Sequence, residues 1–188
     1  MNGSNSLSVA EYQIKQASQV PTAVLSGSIQ DLLRDIEVAS AKRFSGLGLI
    51  AEEKLSDHIP QERVVEMIEA NRMLVACDAQ GVPVGFAALS LWSYGCLLEE
   101  LDVLPEHGGK GLGRALVMAA IEWAKVNRQP AIFLSTFADV PWNRPFYSRL
   151  GFQIVPESEL NVDMMQLRNN EIAAGLPVDR RVFMRMSL

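Results

Sequence analysis

The chain has 188 residues, enough for one domain with a core that stands alone. Hydrophobic residues are 48% and charged residues 21%, a soluble globular composition with no run long enough to span a membrane. The 17 Lys and Arg against 22 Asp and Glu leave a formal charge of -5, which argues against a nucleic-acid surface and suits a cationic substrate.

Residues 1–9 read as a polar, mobile tail, and "MNGSNSLS" lacks the basic-then-apolar pattern of a signal peptide. "YQIKQA" (12–17) alternates like a strand. Leu33, Ile36, Val38 and Phe44 fall near helical spacing and predict a helix over 30–44. The stretch 45–59 is glycine-rich and irregular, and Pro60 opens a second helix in "QERVVEMIEA". "MLVACD" (73–78), "VGFAALSLW" (84–92) and "GCLLEELDVL" (95–104) are three successive strands, the first two joined by the turn residues "DAQGVP". A helix follows from about Gly111 to Asn127, with Leu112, Leu116, Ala119 and Trp123 on the core stripe. "AIFLSTF" (131–137) is a strand, "VPWNRPFYSRL" a short helix closed by Gly151, and "GFQIV" a strand. Residues 158–174 form a helix ending at Gly175, and "RRVFMRMSL" closes the chain as a strand with Val182, Met184 and Met186 on one face. There is no repeat or linker. The order β-α-α-β-β-β-α-β-α-β-α-β predicts one mixed α/β (α+β) domain over residues 10–188, its central twisted sheet mostly antiparallel and flanked by helices.

Cys77 and Cys96 sit in apolar, strand-like stretches, as buried free thiols in a reducing compartment would, so the cytoplasm is the expected location. No Cys/His cluster has zinc spacing, and no metal is expected.

The densest signal is "PEHGGKGLGRAL" (105–116). A Walker-type loop needs Ser or Thr after its lysine, but Lys110 is followed by Gly111. A dinucleotide fingerprint needs Gly-x-Gly-x-x-Gly in a parallel βαβ unit, whereas Gly109, Gly111 and Gly113 are spaced two and two after a run of hairpins. A strand, a loop of backbone amides and a helix N-terminus remain. That assembly suits a pyrophosphate held without metal, or a plain glycine-rich turn capping a helix.

"WNRPFYSRLGF" (142–152) resembles the C-terminal motif of the GNAT acetyltransferase superfamily, a Tyr followed four residues later by Gly-Phe. "VLPEHGGKGLGRAL" (103–116) resembles that superfamily's acetyl-CoA loop, Arg/Gln-x-x-Gly-x-Gly/Ala. The resemblance covers roughly residues 12–155 in element order, with its specific motifs in 95–155. One departure is Gly108, where the family has Arg or Gln; coenzyme binding is expected to survive it on backbone amides.

The resemblance implies acetyl transfer from acetyl-CoA, as cosubstrate, to a primary amine of a small molecule or peptide, by direct attack in a ternary complex. It implies that the backbone of Leu101, Asp102 and Val103 pairs with the pantetheine arm as an added strand. Gly108, Gly109, Lys110, Gly111, Leu112, Gly113 and Arg114 cradle the pyrophosphate, and Asn143, Phe146 and Tyr147 line the thioester end. Tyr147 matches the family tyrosine, the acid that protonates the departing thiolate. The position where many relatives carry the base is Ser135, which cannot serve. Glu100 is the expected base, with Glu99 as its partner or a substrate clamp and Asp102 a third candidate. In a regular strand Glu99 and Glu100 point to opposite faces; a family bulge would bring both to the cleft. Phe44, Leu47, Leu49, Trp92 and Trp142 would make the acceptor cleft apolar. Cys96 has no nearby His to activate it as an acyl carrier. A homodimer is compatible with the chain, and a non-catalytic acyl-CoA-binding sensor or adaptor is the alternative function.

Overall fold

The computed structural model describes residues 8, 9 and 11–188. Eight strands are present among them: β1 (Ser8–Val9), β2 (Tyr12–Gln16), β3 (Met73–Cys77), β4 (Pro83–Trp92), β5 (Gly95–Val103), β6 (Ala131–Phe137), β7 (Gln153–Ile154) and β8 (Arg181–Ser187). The helices are α1 (Ile29–Ala41), α2 (Gln61–Glu69), α3 (Leu112–Val126), α4 (Arg144–Arg149) and α5 (Val162–Ala173). The strands form one sheet in the order β1-β2-β3-β4-β5-β6-β8-β7, antiparallel throughout except for β5 beside β6. Ser8 and Val9, expected in the tail, pair with Gln13 and Tyr12, while residues 1–7 of that tail lie outside the described residues. None of the described helices is long and apolar enough to cross a membrane.

Local chemistry sets the element ends. The Ser28 side chain accepts the Asp31 amide at 3.1 Å and caps α1. Asn161 does the same for α5 by accepting the Met164 amide at 3.0 Å, which is why the helix starts at Val162 rather than near 158. Between β3 and β4 the Asp78 carboxylate accepts the amides of Gln80 and Val82 at 3.0 and 2.9 Å and closes the turn.

The sheet is covered on both faces, so β3 is buried at all five residues instead of alternating. Leu74 and Ala76 join the core under α3, while Met73, Val75 and Cys77 join the one under α1 and α2. The buried face of α3 is broader than the expected stripe. Ala115, Val117, Ala120, Ile121 and Ala124 are buried with Leu112 and Leu116, leaving Ala119 and Trp123 only half-buried. The small Ala120 and Ala124, both 0% exposed, let the helix approach β3, β4 and β5 closely.

One feature of the sheet makes a cleft. β5 and β6 pair only through Cys96↔Ile132 and Leu97↔Phe133. Just beyond, the β4–β5 register passes from Leu89↔Leu98 to Ala88↔Glu100, so Glu99 is an extra residue, a β-bulge. A bulge bends its strand and increases the local twist, and β5 leaves β6 from there. Gly95 permits the approach at the closed end: its φ is +148°, and an added Cβ would lie 2.3 Å from the Ala131 carbonyl oxygen. Gly95→Ala is expected to cost about 3 kcal/mol, lowering the thermal unfolding midpoint by roughly 6–12 °C in a calorimetric scan. An unchanged midpoint would mean that β5 and β6 can part at that end without loss.

Candidate active site

The divergence of β5 and β6 opens into a cleft of about 750 Å³, the size of a small-molecule site. Leu98 to Val103 of β5 form its floor, and past Leu97 their edge toward β6 carries no strand. Leu101, Asp102 and Val103 thus present unpaired backbone to the cleft, although Asp102 keeps its side chain buried.

The glycine loop closes one end. Pro105–His107 is a single 3₁₀ turn ended by the Gly108 amide donating to the Pro105 carbonyl at 3.0 Å. An added Cβ at Gly108 would also lie 3.0 Å from that carbonyl, so the turn itself disfavours the larger residue of the family pattern. Gly109 and Gly111 have φ of +72° and +83°, with open space around each; their need for glycine is conformational rather than steric. Gly111 starts α3 without a side-chain cap, so the first amides, from Leu112 to Arg114, have no partner within the helix. The positive end of the helix dipole lies at the same point, and an anion suits it. Gly108, Gly109, Gly111, Leu112, Gly113 and Arg114 all line the cleft.

Lys110, expected among them, does not line the cleft. Its ammonium donates to the Tyr12 hydroxyl at 3.1 Å, and that hydroxyl meets Nδ1 of His107 at 2.9 Å. An ammonium can only donate, so the arrangement is satisfied when the Tyr12 proton goes to His107. The buried Tyr12 ring meets the His107 ring edge-on at 5.7 Å, so β2 clasps both ends of the loop from behind. Arg114 is left as the loop's cation facing the cleft.

The bulge brings Glu99 and Glu100 to the cleft together, as the family bulge implied. They differ in their partners. Glu99 is held by Arg63 at 2.5 Å and by the Ser90 hydroxyl, so its charge is committed. Glu100 is half-buried beside Asp102; loss of hydration, then the negative charge of Asp102, pushes its carboxyl up to about 8. Burial likewise raises Asp102, against hydrogen bonding from Ser40 and the Arg43 guanidinium 3.7 Å away. A fourth acid, absent from the sequence-based candidates, is Glu37 on α1. Both its oxygens accept the Ile59 amide at 3.1 Å, and burial together with Glu100 pushes it up to about 8. Its sequence signal was its place on the helix face of Leu33, Ile36 and Ser40, all buried.

α4 supplies the opposite wall. The Asn143 carbonyl accepts the amides of Phe146 and Tyr147 at 2.9 and 3.1 Å, and its side chain is left to line the cleft. Gly151 turns at φ +99°, which lets the Phe152 amide return to the Tyr147 carbonyl at 3.2 Å. The buried Phe152 ring then meets the Tyr147 ring edge-on at 5.8 Å, with Phe146 at 5.0 Å on its other side. The Tyr-x-x-x-Gly-Phe spacing therefore aims a tyrosine. Its hydroxyl has no hydrogen-bond partner among the described residues. Burial, then the charges of Glu100 and Asp102, raises its proton affinity above that of an ordinary phenol.

Ser135 accepts from Arg181 Nε at 3.3 Å through its hydroxyl, consistent with its exclusion as a base. Of the apolar residues expected in the acceptor cleft, Phe44 and Trp142 line it, joined by Ile50, Phe137 and Leu176. Leu49 is buried behind them, Leu47 is exposed elsewhere, and Trp92 packs on Phe133 at 5.5 Å in a separate cluster. Cys77 and Cys96 are free and buried, and burial pushes the Cys96 thiol up to about 12, which makes it a poor nucleophile.

The model of the acetyltransferase (GNAT) family matches residues 33–152. Streptothricin acetyltransferase of Streptomyces lavendulae is 35% identical over 85 residues, 44% of this chain and 44% of that protein. An uncharacterised N-acetyltransferase of Methanocaldococcus jannaschii is 33% identical over 84 residues, 41% of this chain and 37% of that one. The match spans less than half the length of either relative. Among solved structures, the PaiA N-acetyltransferase of Thermoplasma acidophilum, in complex with coenzyme A, has the same fold. Its TM-score is 0.66 over 94% of this chain and 99% of that one, at 18% identity.

Proposed function

This chain belongs to the acetyltransferase (GNAT) family, and from that premise we propose that it moves an acetyl group from acetyl-CoA to a primary amine by direct attack in a ternary complex. The observation that carries the reading is the junction of an unpaired β5 edge with the uncapped N-terminus of α3, with Glu100 and Tyr147 both facing the same cleft. The residues present suit the coenzyme. The backbone of Leu101, Asp102 and Val103 would take the pantetheine arm as an added strand, and the amides from Gly109 to Arg114 would face the pyrophosphate. Asn143 and Phe146 would border the thioester end.

Bound acetyl-CoA supplies an activated acyl group; the protein must manage two protons. An alkylammonium near pKa ~10 is mostly charged at neutral pH and cannot attack. Glu100, directly or through water, takes that proton. Glu99 stays engaged with Arg63 beside it. The Tyr147 hydroxyl gives its proton to the departing sulfur, and its high proton affinity keeps it a donor across the working range.

The test is coenzyme release over a panel of primary amines, set beside direct binding of acetyl-CoA by calorimetry. Binding with turnover supports the reading, and binding with no turnover on any amine favours a sensor or adaptor. The clasp behind the loop adds a prediction. Tyr12→Phe keeps the ring and removes the hydroxyl. Losing about 1 kcal/mol of hydrogen bonding in the loop is expected to weaken coenzyme A binding about five-fold, with kcat unchanged. Equal affinity in the two proteins would show that the loop holds its shape without Tyr12.

A further inference from the structure

Resting on the acetyl-transfer reading of the cleft, we propose that the acceptor is an arylalkylamine: an amine carried on a flat aromatic body, with no carboxylate beside the nitrogen. Two independent features of the cleft define it. The first is a ring wall. Phe44, at the end of the turn that follows α1, meets Phe137 at 5.6 Å and Trp142 at 6.2 Å, tilted by 50° and 53°. All three line the cleft, and Trp142 keeps 41% of its surface exposed. An indole left open in a cleft, backed by Phe44, which itself rests on Phe137, is a stacking surface for a flat apolar group.

The second feature concerns the cations. An amino-acid acceptor would need a positive group free to receive its carboxylate. Arg181 pairs with the buried Glu171 at 3.0 Å, donates to the Ser135 carbonyl at 3.1 Å, and lies over the Phe137 ring at 4.7 Å. Arg43 donates to the Ser40 carbonyl at 2.9 Å and to the Ser40 hydroxyl, and faces Asp102 at 3.7 Å. Each cation on the acceptor side therefore already answers a carboxylate of the protein. Of the acids lining the cleft, Glu99 and Asp102 face Arg63 and Arg43, and Glu100 is left to meet the incoming amine. An amine head toward Glu100 and an aromatic body against Trp142 satisfy the cleft; a carboxylate on the acceptor does not, because no cation is left to receive it.

The test compares 2-phenylethylamine, n-butylamine and phenylalanine as acceptors at fixed acetyl-CoA. The expected kcat/KM for 2-phenylethylamine exceeds that for butylamine about ten-fold and that for phenylalanine about a hundred-fold. Trp142→Ala should raise KM for 2-phenylethylamine about ten-fold and leave the KM values for butylamine and acetyl-CoA unchanged. Phe44→Leu should act in the same direction. Equal use of phenylalanine and 2-phenylethylamine, or an equal loss for both amines in Trp142→Ala, would overturn the proposal. Quenching of tryptophan fluorescence by 2-phenylethylamine, compared with the Trp142→Phe protein, reads binding without turnover. Quenching lost in that variant, with no coenzyme release in the wild type, would sink the acetyl-transfer reading while upholding the subsite. Absence of Trp142-dependent quenching would sink the subsite itself.

Discussion

Replacing Glu100 with glutamine is expected to lower kcat/KM about a hundred-fold at neutral pH, the lower end of what a positioned general base contributes. The pH dependence carries more information than the loss. A carboxyl accepts a proton only when ionised, and burial beside Asp102 pushes Glu100 up to about 8. Activity of the wild type should therefore rise with pH and level off above about 8. In Glu100→Gln that limb disappears, and the rate climbs only with the free-amine fraction, about ten-fold per unit toward the amine's own ~10. The deficit narrows as pH rises. Stability moves the other way and serves as a control. Folded Glu100 binds its proton more tightly than the unfolded chain, whose carboxyl titrates near 4.5, so the native state loses stability as pH rises from there through about 8. Glutamine escapes this loss, so the variant should resist urea better than the wild type at pH 9 relative to pH 6. A variant that keeps the limb near 8 would remove Glu100 as the base. The same profile on Asp102→Asn would then decide whether Asp102, hydrogen-bonded to Ser40, takes its place.

Tyr147→Phe should reduce kcat about a hundred-fold, near 2.7 kcal/mol of transition-state stabilisation, with KM for both substrates almost unchanged. Phenylalanine keeps the edge-on contacts with Phe146 and Phe152, so fold and coenzyme binding should survive. The missing proton matters only while the leaving sulfur needs one. An ordinary thiol titrates near ~8.5, so the deficit should shrink above about pH 9, while the wild type, its phenol raised above the usual range, keeps its donor. Single-turnover rates over pH 6–10 separate this from slow product release. An unchanged maximal rate would assign Tyr147 to packing alone.

Much of the architecture was legible because its causes are local. Turn residues at Asp78 and Gly81 and the glycines at 109, 111 and 151 each act within a few residues, although the equally local cap at Asn161 went unread and the last helix was started too early. The Tyr147-to-Phe152 spacing belongs to the same class, since it is one helix end and one returning amide. The errors at the site came where a residue's surroundings lie far along the chain. Lys110 looked like a phosphate ligand until β2, 98 residues away, supplied Tyr12 to hold it. Trp92 and Trp142 looked alike as apolar cleft residues, yet they sit in different packing clusters.

The sequence by itself determined the order of elements, the glycine loop running into a helix, and a tyrosine placed by its own helix end, because backbone conformation answers to neighbours within a turn or two. It also placed two acids before the loop. Only the tertiary structure decided what those acids can do. Arg63 on α2 commits Glu99, whereas Glu37 from α1, Asp102 from β5 and Arg181 from β8 surround Glu100. Proton affinity depends on hydration and on charges a few ångströms away, and those distances exist only once the sheet has parted at its bulge and the helices have closed over it.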